Sequence, residues 1–297
     1  MRNDENGGAQ LPPDTPLDGR ADASVVTQFF LLPLAVVAGL LGVFLLYTLA
    51  TRRAPTARDY LETLRSGRFN QRWQAAFELS NLLKKKDASV GHPGMLSEMV
   101  KIFQESVTSP DEDPRVKRYL ALALGDSASA QAIDPLLKAA RGEDSETRLY
   151  ALWGLAHLKA LEAKELFREG LTDADPTVRS ICAFGLGVLS EHPDLTDVEP
   201  LLKDPVPDVR WNAALALARN GSASGESVLI ELLDRKYLDA FPGLKSPDKT
   251  ELILNALRGL KHLKTHGLSE KLRRLANADP DPDVRKAARS WDISDPS

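Results

Sequence analysis

The residues able to do chemistry are few in this 297-residue chain, and their spacing argues against a reaction centre. His262 and His266 stand four apart, a spacing that places two imidazoles on one helix face as metal ligands do. Gly267 follows at once and no carboxylate lies between them, so they read as surface histidines and no metal is assigned. Cys182 is the single cysteine, which excludes an intramolecular disulfide. It occupies a position where other parts of the chain carry alanine, so an inert, buried thiol is expected rather than a nucleophile. Phosphate-binding glycine loops and the serine-hydrolase elbow are absent, so no catalytic residue and no cofactor are expected. Arg258, Lys261, Lys264, Lys271, Arg273 and Arg274 form a basic cluster near the C-terminus. Residues 54–297 nevertheless hold 34 basic against 37 acidic side chains, and the sequence pI is about 5.8. A groove that tracks phosphates along several turns needs clustered positive charge, so nucleic acid is not an expected partner. The cluster reads as a solvated face or as a contact to anionic lipid headgroups.

The elements that must position these residues are read from an internal repeat. RWQAAFEL at Arg72, KRYLALAL at Lys117, RLYALWGL at Arg148, RSICAFGL at Arg179 and RWNAALAL at Arg210 align, and ILNALRGL at Ile253 and RKAARSWD at Arg285 complete seven copies. The spacings are 45, 31, 31, 31, 43 and 32 residues. Three positions past the basic residue stands Ala or Cys in six copies, and seven past it stands Leu in six. Apolar residues at 3, 4 and 7 make one buried helical stripe, so Leu186 and Leu217 are expected between repeats. A second amphipathic helix follows each first one, at 132–141, 162–171 and 226–235 for example. Asp113-Pro114, Asp175-Pro176, Asp204-Pro205 and Asp281-Pro282 mark helix starts, because Asp accepts from the free N–H groups and Pro lacks one to lose. Strand signals are absent. The fold class expected is all-α, an α-solenoid of about seven repeats preceded by one transmembrane helix.

The stretches DPTVRSICAFGLGVL at 175–189 and PDVRWNAALALARNG at 207–221 resemble bacterial HEAT-like repeats of the type first described in phycobilin lyases. The likeness covers about residues 60–292. It implies an α-solenoid with first helices outside and second helices lining the concave side. It also implies that Arg148, Arg179, Arg210 and Arg285 form a ladder with Asp residues of adjacent repeats, a ladder that Ile253 interrupts. The iron-binding HEAT hydroxylases of similar fold need His-Glu dipeptides, and this chain offers only the reversed Glu191-His192.

Two stretches depart from the 31-residue period: KKKDASVGHPG at 84–94 and KYLDAFPGLKSPDKT at 236–250. Insertions in solenoids project as loops on a binding face. Just after the ladder position the copies carry Trp73, Arg118, Leu149, Ser180, Trp211, Leu254 and Lys286, a mixture that predicts partial exposure. Trp211, Tyr237, Phe241 and Trp73 are therefore the expected partner-binding residues, because exposed Trp and Tyr dominate interface hot spots.

Residues 25–50 hold no charge and would span roughly 39 Å as a helix, more than the ~30 Å hydrocarbon core. Arg52, Arg53, Arg58, Arg65 and Arg68 crowd the C-terminal flank of this run, while Arg20 is the only nearby arginine on the other side. The positive-inside rule then leaves the N-terminus outside and the repeats in the cytoplasm. The expected organisation is a disordered acidic tail over 1–24, a single-pass transmembrane helix over 25–50, a linker over 51–59 and the solenoid over 60–297. The function expected is a membrane-anchored, non-enzymatic scaffold for membrane-associated protein partners, such as an accessory subunit of a transporter, without a small-molecule substrate. The alternative is a nucleic-acid-acting or bilin-lyase-like enzyme on the same fold.

Overall fold

The computed structural model describes residues 31–51, 55–91, 94–189 and 194–291. Among these it holds fifteen α-helices and no strand. The chain divides into two compact units, residues 1–54 and 55–297.

In the first unit α1 runs from Leu32 to Thr51 with no acidic or basic residue in its end turns. Its large apolar side chains from Leu32 to Tyr47 are exposed: Leu34 is 64% and Leu46 68% exposed. The expected span over 25–50 is not shown among the described residues. The described helix runs from Leu32, with Pro33 in its first turn, and no helix among the described residues is long and apolar enough to cross a membrane. The acidic tail and residues 25–30 lie outside the described residues, as do Arg52 and Arg53.

The second unit begins at Pro55, ahead of the expected boundary at 60, because Ala57–Ser66 already forms a helix, α2. Its Ala57, Leu61 and Leu64 are buried. The helices carrying the repeated ladder position are α3 (Phe69–Lys84), α5 (Pro114–Asp126), α7 (Ser145–His157), α9 (Pro176–Val188), α10 (Pro207–Arg219), α13 (Ser246–His262) and α15 (Pro282–Arg289). Between them lie α4 (Met95–Thr108), α6 (Ile133–Ala140), α8 (Lys164–Gly170), α11 (Glu226–Leu232), α12 (Arg235–Asp239) and α14 (Ser269–Ala278). Behind α9 a 3₁₀ helix, Thr196–Lys203, stands where a second α-helix would, with Pro200 inside it. Proline lacks the N–H that an α-helical interior would use.

The repeated leucines are buried as their spacing requires: Leu79, Leu124, Leu155, Leu186, Leu217 and Leu260 are each at most 1% exposed. Asp113, Asp175 and Asp281 accept from backbone N–H groups at the starts of α5, α9 and α15. Asp204 accepts from Val206 N at 2.9 Å, and α10 starts only at Pro207.

Small residues set the spacing of the ladder helices. A Cβ on Gly125 would stand 2.6 Å from the Gly154 Cα, and one on Gly187 would stand 2.5 Å from the Ala216 Cβ. The ladder helices also touch each other more extensively than the second helices do. A stack with unequal spacing on its two sides bends toward the tighter side, so the ladder helices form the inner row. That reverses the placement implied by the resemblance.

Candidate functional site

The ladder arginines tie repeats together. Arg179 grips Asp204 of the next repeat with two hydrogen bonds, Nε at 2.8 Å and Nη2 at 3.0 Å, while Nη1 donates back to the Asp173 carbonyl at 2.8 Å. Arg148 reaches Asp173 at 3.3 Å and Arg72 reaches Glu112 at 2.5 Å. Arg210 and Arg285 each donate to the carbonyl six residues back, Asp204 and Asp279, at 2.7 Å. At the copy where Ile253 replaces the arginine, the residue that leads into the insertion supplies one. Arg235 holds Asp279 at 2.7 and 2.8 Å, and its Nη2 also donates to Thr250 Oγ1 at 3.2 Å. The Arg179 guanidinium holds the Asp204 carboxyl below the ordinary carboxylate range. These arginines are consumed in structure. Burial pushes the Cys182 thiol up to about 12, which leaves almost no thiolate at neutral pH.

The structure corrects the expected exposure of Trp211, which is only 2% exposed. Helix α10 lies between α9 and α13 and is buried on both flanks. Val209, Ala213, Ala216 and Leu217 belong to one core cluster, Trp211, Ala214, Leu215 and Ala218 to the next. The insertion covers the indole: Phe241 meets Trp211 edge-on at 5.2 Å, and Tyr237 meets Phe241 at 5.3 Å. Three of the four expected residues are thus brought together, as packing. Trp73 stands apart, half-buried beneath the Arg115 guanidinium at 4.4 Å, and Asp113 holds that guanidinium in turn. His262 closes α13 and His266 lies beyond the helix end, so they do not share a helix face. No group of three side chains able to hold a metal occurs among the described residues.

A different face presents aromatic rings from successive repeats. Five positions past the ladder stand Phe77, Leu122, Trp153 and Phe184, the first of them 38% exposed and the others half-buried. Tyr119 packs edge-on against Phe77 at 5.1 Å, and His157 stacks on Trp153 at 3.4 Å and stands 5.8 Å from Phe184. The Arg219 guanidinium lies 5.4 Å from the Phe184 ring centre. The bulk at this position was readable in the repeat. Its incomplete covering was not, because neighbouring helices decide it.

The stretches 102–187 and 165–240 match the HEAT repeats family. No curated protein matches the sequence significantly. The complex of CpcE and CpcF of phycocyanin lyase from Nostoc sp. PCC7120 is similar in fold, with a TM-score of 0.54 at 19% identity over 80% of this chain and 87% of that one. An engineered protein gives 0.44 at 20% identity over 70% of this chain and 96% of that chain. Human deoxyhypusine hydroxylase in complex with glycerol gives 0.32 at 13% identity over 78% and 93%, and neither of these last two likenesses supports an argument. The HEAT-repeat likeness in sequence thus runs from residue 102 to 240, and the likeness in fold extends over most of the chain.

Proposed function

We propose that this protein is a non-enzymatic scaffold that binds a protein partner along the inner row of helices. The observation that supports the reading is the row of incompletely covered rings at Phe77, Tyr119, Trp153, His157 and Phe184, which crosses four consecutive ladder helices. Solvent-facing aromatic rings on a rigid element gain by transfer to a dry interface, and they lose little side-chain entropy on binding. The likeness to a lyase assembled from two chains agrees with a fold that pairs with other proteins.

The scaffold is held at a membrane by the charge-free residues 25–50, with the repeats on the cytoplasmic side and a membrane complex such as a transporter as its partner. The reading rests on the sequence run and its flanking arginines. An anchor confines the solenoid to the bilayer surface and raises its effective concentration for partners there. Affinity purification from detergent-solubilised membranes, with mass spectrometry, tests the reading: the full chain captures a specific membrane protein, and F77A/F184A captures at least about tenfold less while melting like the parent. Equal capture by the variant overturns it. A bilin-lyase-like enzyme is the second reading, favoured only by the likeness to the lyase complex. Covalent transfer of a bilin to a purified acceptor would decide for it.

A further inference from the structure

We propose that Arg219, Arg258 and His262 form an oxyanion site at the seam of α10 and α13, which takes an acidic group carried by the scaffold's polypeptide partner. The inference rests on the scaffold reading above. These three side chains, with Leu215, Asn255 and Gly259, line a cleft of about 200 Å³. Arg219 ends α10, and Arg258 and His262 stand one turn apart on α13.

Neither guanidinium has a carboxylate partner among the described residues, whereas Arg72, Arg148, Arg179 and Arg235 all do. Both are nevertheless held in place by uncharged groups. Arg219 lies over the Phe184 ring, and Arg258 Nη1 donates to Asn255 Oδ1 at 2.7 Å. Desolvation, and then the Arg258 charge, lower Arg219 from the ordinary arginine value, although much of its side chain stays open to solvent. Two like charges held at one cleft repel each other, and an oxyanion between them removes that repulsion. Guanidinium forks match the oxygens of a carboxylate or a phosphate group.

The neighbouring cleft gives the ligand a direction. Leu215 and Asn255 also line a second cavity of about 320 Å³, which carries Asp208, Asp248, Glu251 and Trp211. The Trp211 Nε1–H is buried without an acceptor among the described residues. Asp208 and Arg219 stand eleven residues apart on α10, or about 16 Å along its axis. A partner segment with an acidic group at one end and a basic group about 16 Å away fits both cavities in one orientation only.

Inorganic phosphate and acetate are the probes, titrated calorimetrically into the full chain in neutral detergent micelles at constant ionic strength. One of them binds saturably, and R258Q and R219Q each weaken it by about tenfold or more. K271Q, which removes an exposed cation from another surface, changes nothing. Preference for phosphate identifies a phosphorylated side chain, and preference for acetate identifies Asp or Glu. R258Q also melts no lower than the parent, because it removes a repulsive charge. Unsaturable binding, binding unchanged in both variants, or equal loss in K271Q overturns the site. A wild-type chain that captures no partner refutes the scaffold reading, while the anion titration still decides whether the oxyanion site exists. Capture undiminished in R258Q refutes only the site's role toward the partner.

Discussion

Trp211 separates what averaging over repeats can see from what one neighbourhood imposes. The position just past the ladder accepts Arg, Ser and Lys elsewhere, so its average is that of a surface site. At this copy the insertion lays Phe241 over the indole, and the side chain is 2% exposed. Trp211→Ala therefore loses a core contact and is expected to cost about 3–5 kcal/mol in thermal or denaturant unfolding. Trp211→Phe keeps a ring against Phe241 and removes the unpartnered N–H, whose burial costs about 1–3 kcal/mol. That variant is expected to match or exceed the parent in stability. If Trp211→Ala melts like the parent, the indole is not a packing group. Tyr237 and Phe241 were legible as apolar residues without a place in the repeat. That they cover Trp211 was not legible, because nothing in their spacing says which helix they fold back upon.

Between elements, the bond that matters most is the arginine ladder. Arg179 and Asp204 are 14% and 6% exposed at their side chains, so both charges rely on each other. Removing one partner of such a pair leaves a buried charge and costs about 3–5 kcal/mol, which Arg179→Met should show at pH 7. Because Arg179 lowers the Asp204 carboxyl in the folded chain, this pair stabilises fully above the unfolded carboxylate value of about 3.9 and loses that contribution as pH falls through the lower folded value. The stability gap between parent and Arg179→Met is thus expected to close on acidification below about pH 4, measured by urea unfolding across pH. A gap that stays constant, or widens, would remove the pair from the account. The recurring basic position was legible in the repeat spacing, and the resemblance implied its pairing with Asp. That pairing holds for Arg148 and Arg179 but not for Arg210 and Arg285, whose bonds go to backbone carbonyls. The substitute rung was not legible: Arg235 lies 18 residues before Ile253, and only the fold of the insertion carries it to Asp279.

At the scale of the whole molecule, the topology prediction belongs to the charges that flank residues 25–50. A reporter fused after Ser297 is expected to be active only in its cytoplasmic form, and one fused at the N-terminus only in its external form. The opposite pattern overturns the orientation. Release of a chain lacking 25–50 into the soluble fraction would place the anchor there, whereas its retention with the membrane would move the attachment to the repeats. The sequence alone determined the helical class, the register of the seven copies, the buried leucines and the helix starts at Asp113, Asp175 and Asp281. Those features follow from local periodicity and capping, which act over a few residues. The tertiary structure alone decided which row of helices is inner, because that depends on the backbone approach at Gly125 against Gly154 and Gly187 against Ala216. It also decided that Trp211 is covered and that Arg219 and Arg258 share a cleft. Burial and charge pairing of these groups are set by residues 30 or more positions away, and no pattern within one repeat encodes them.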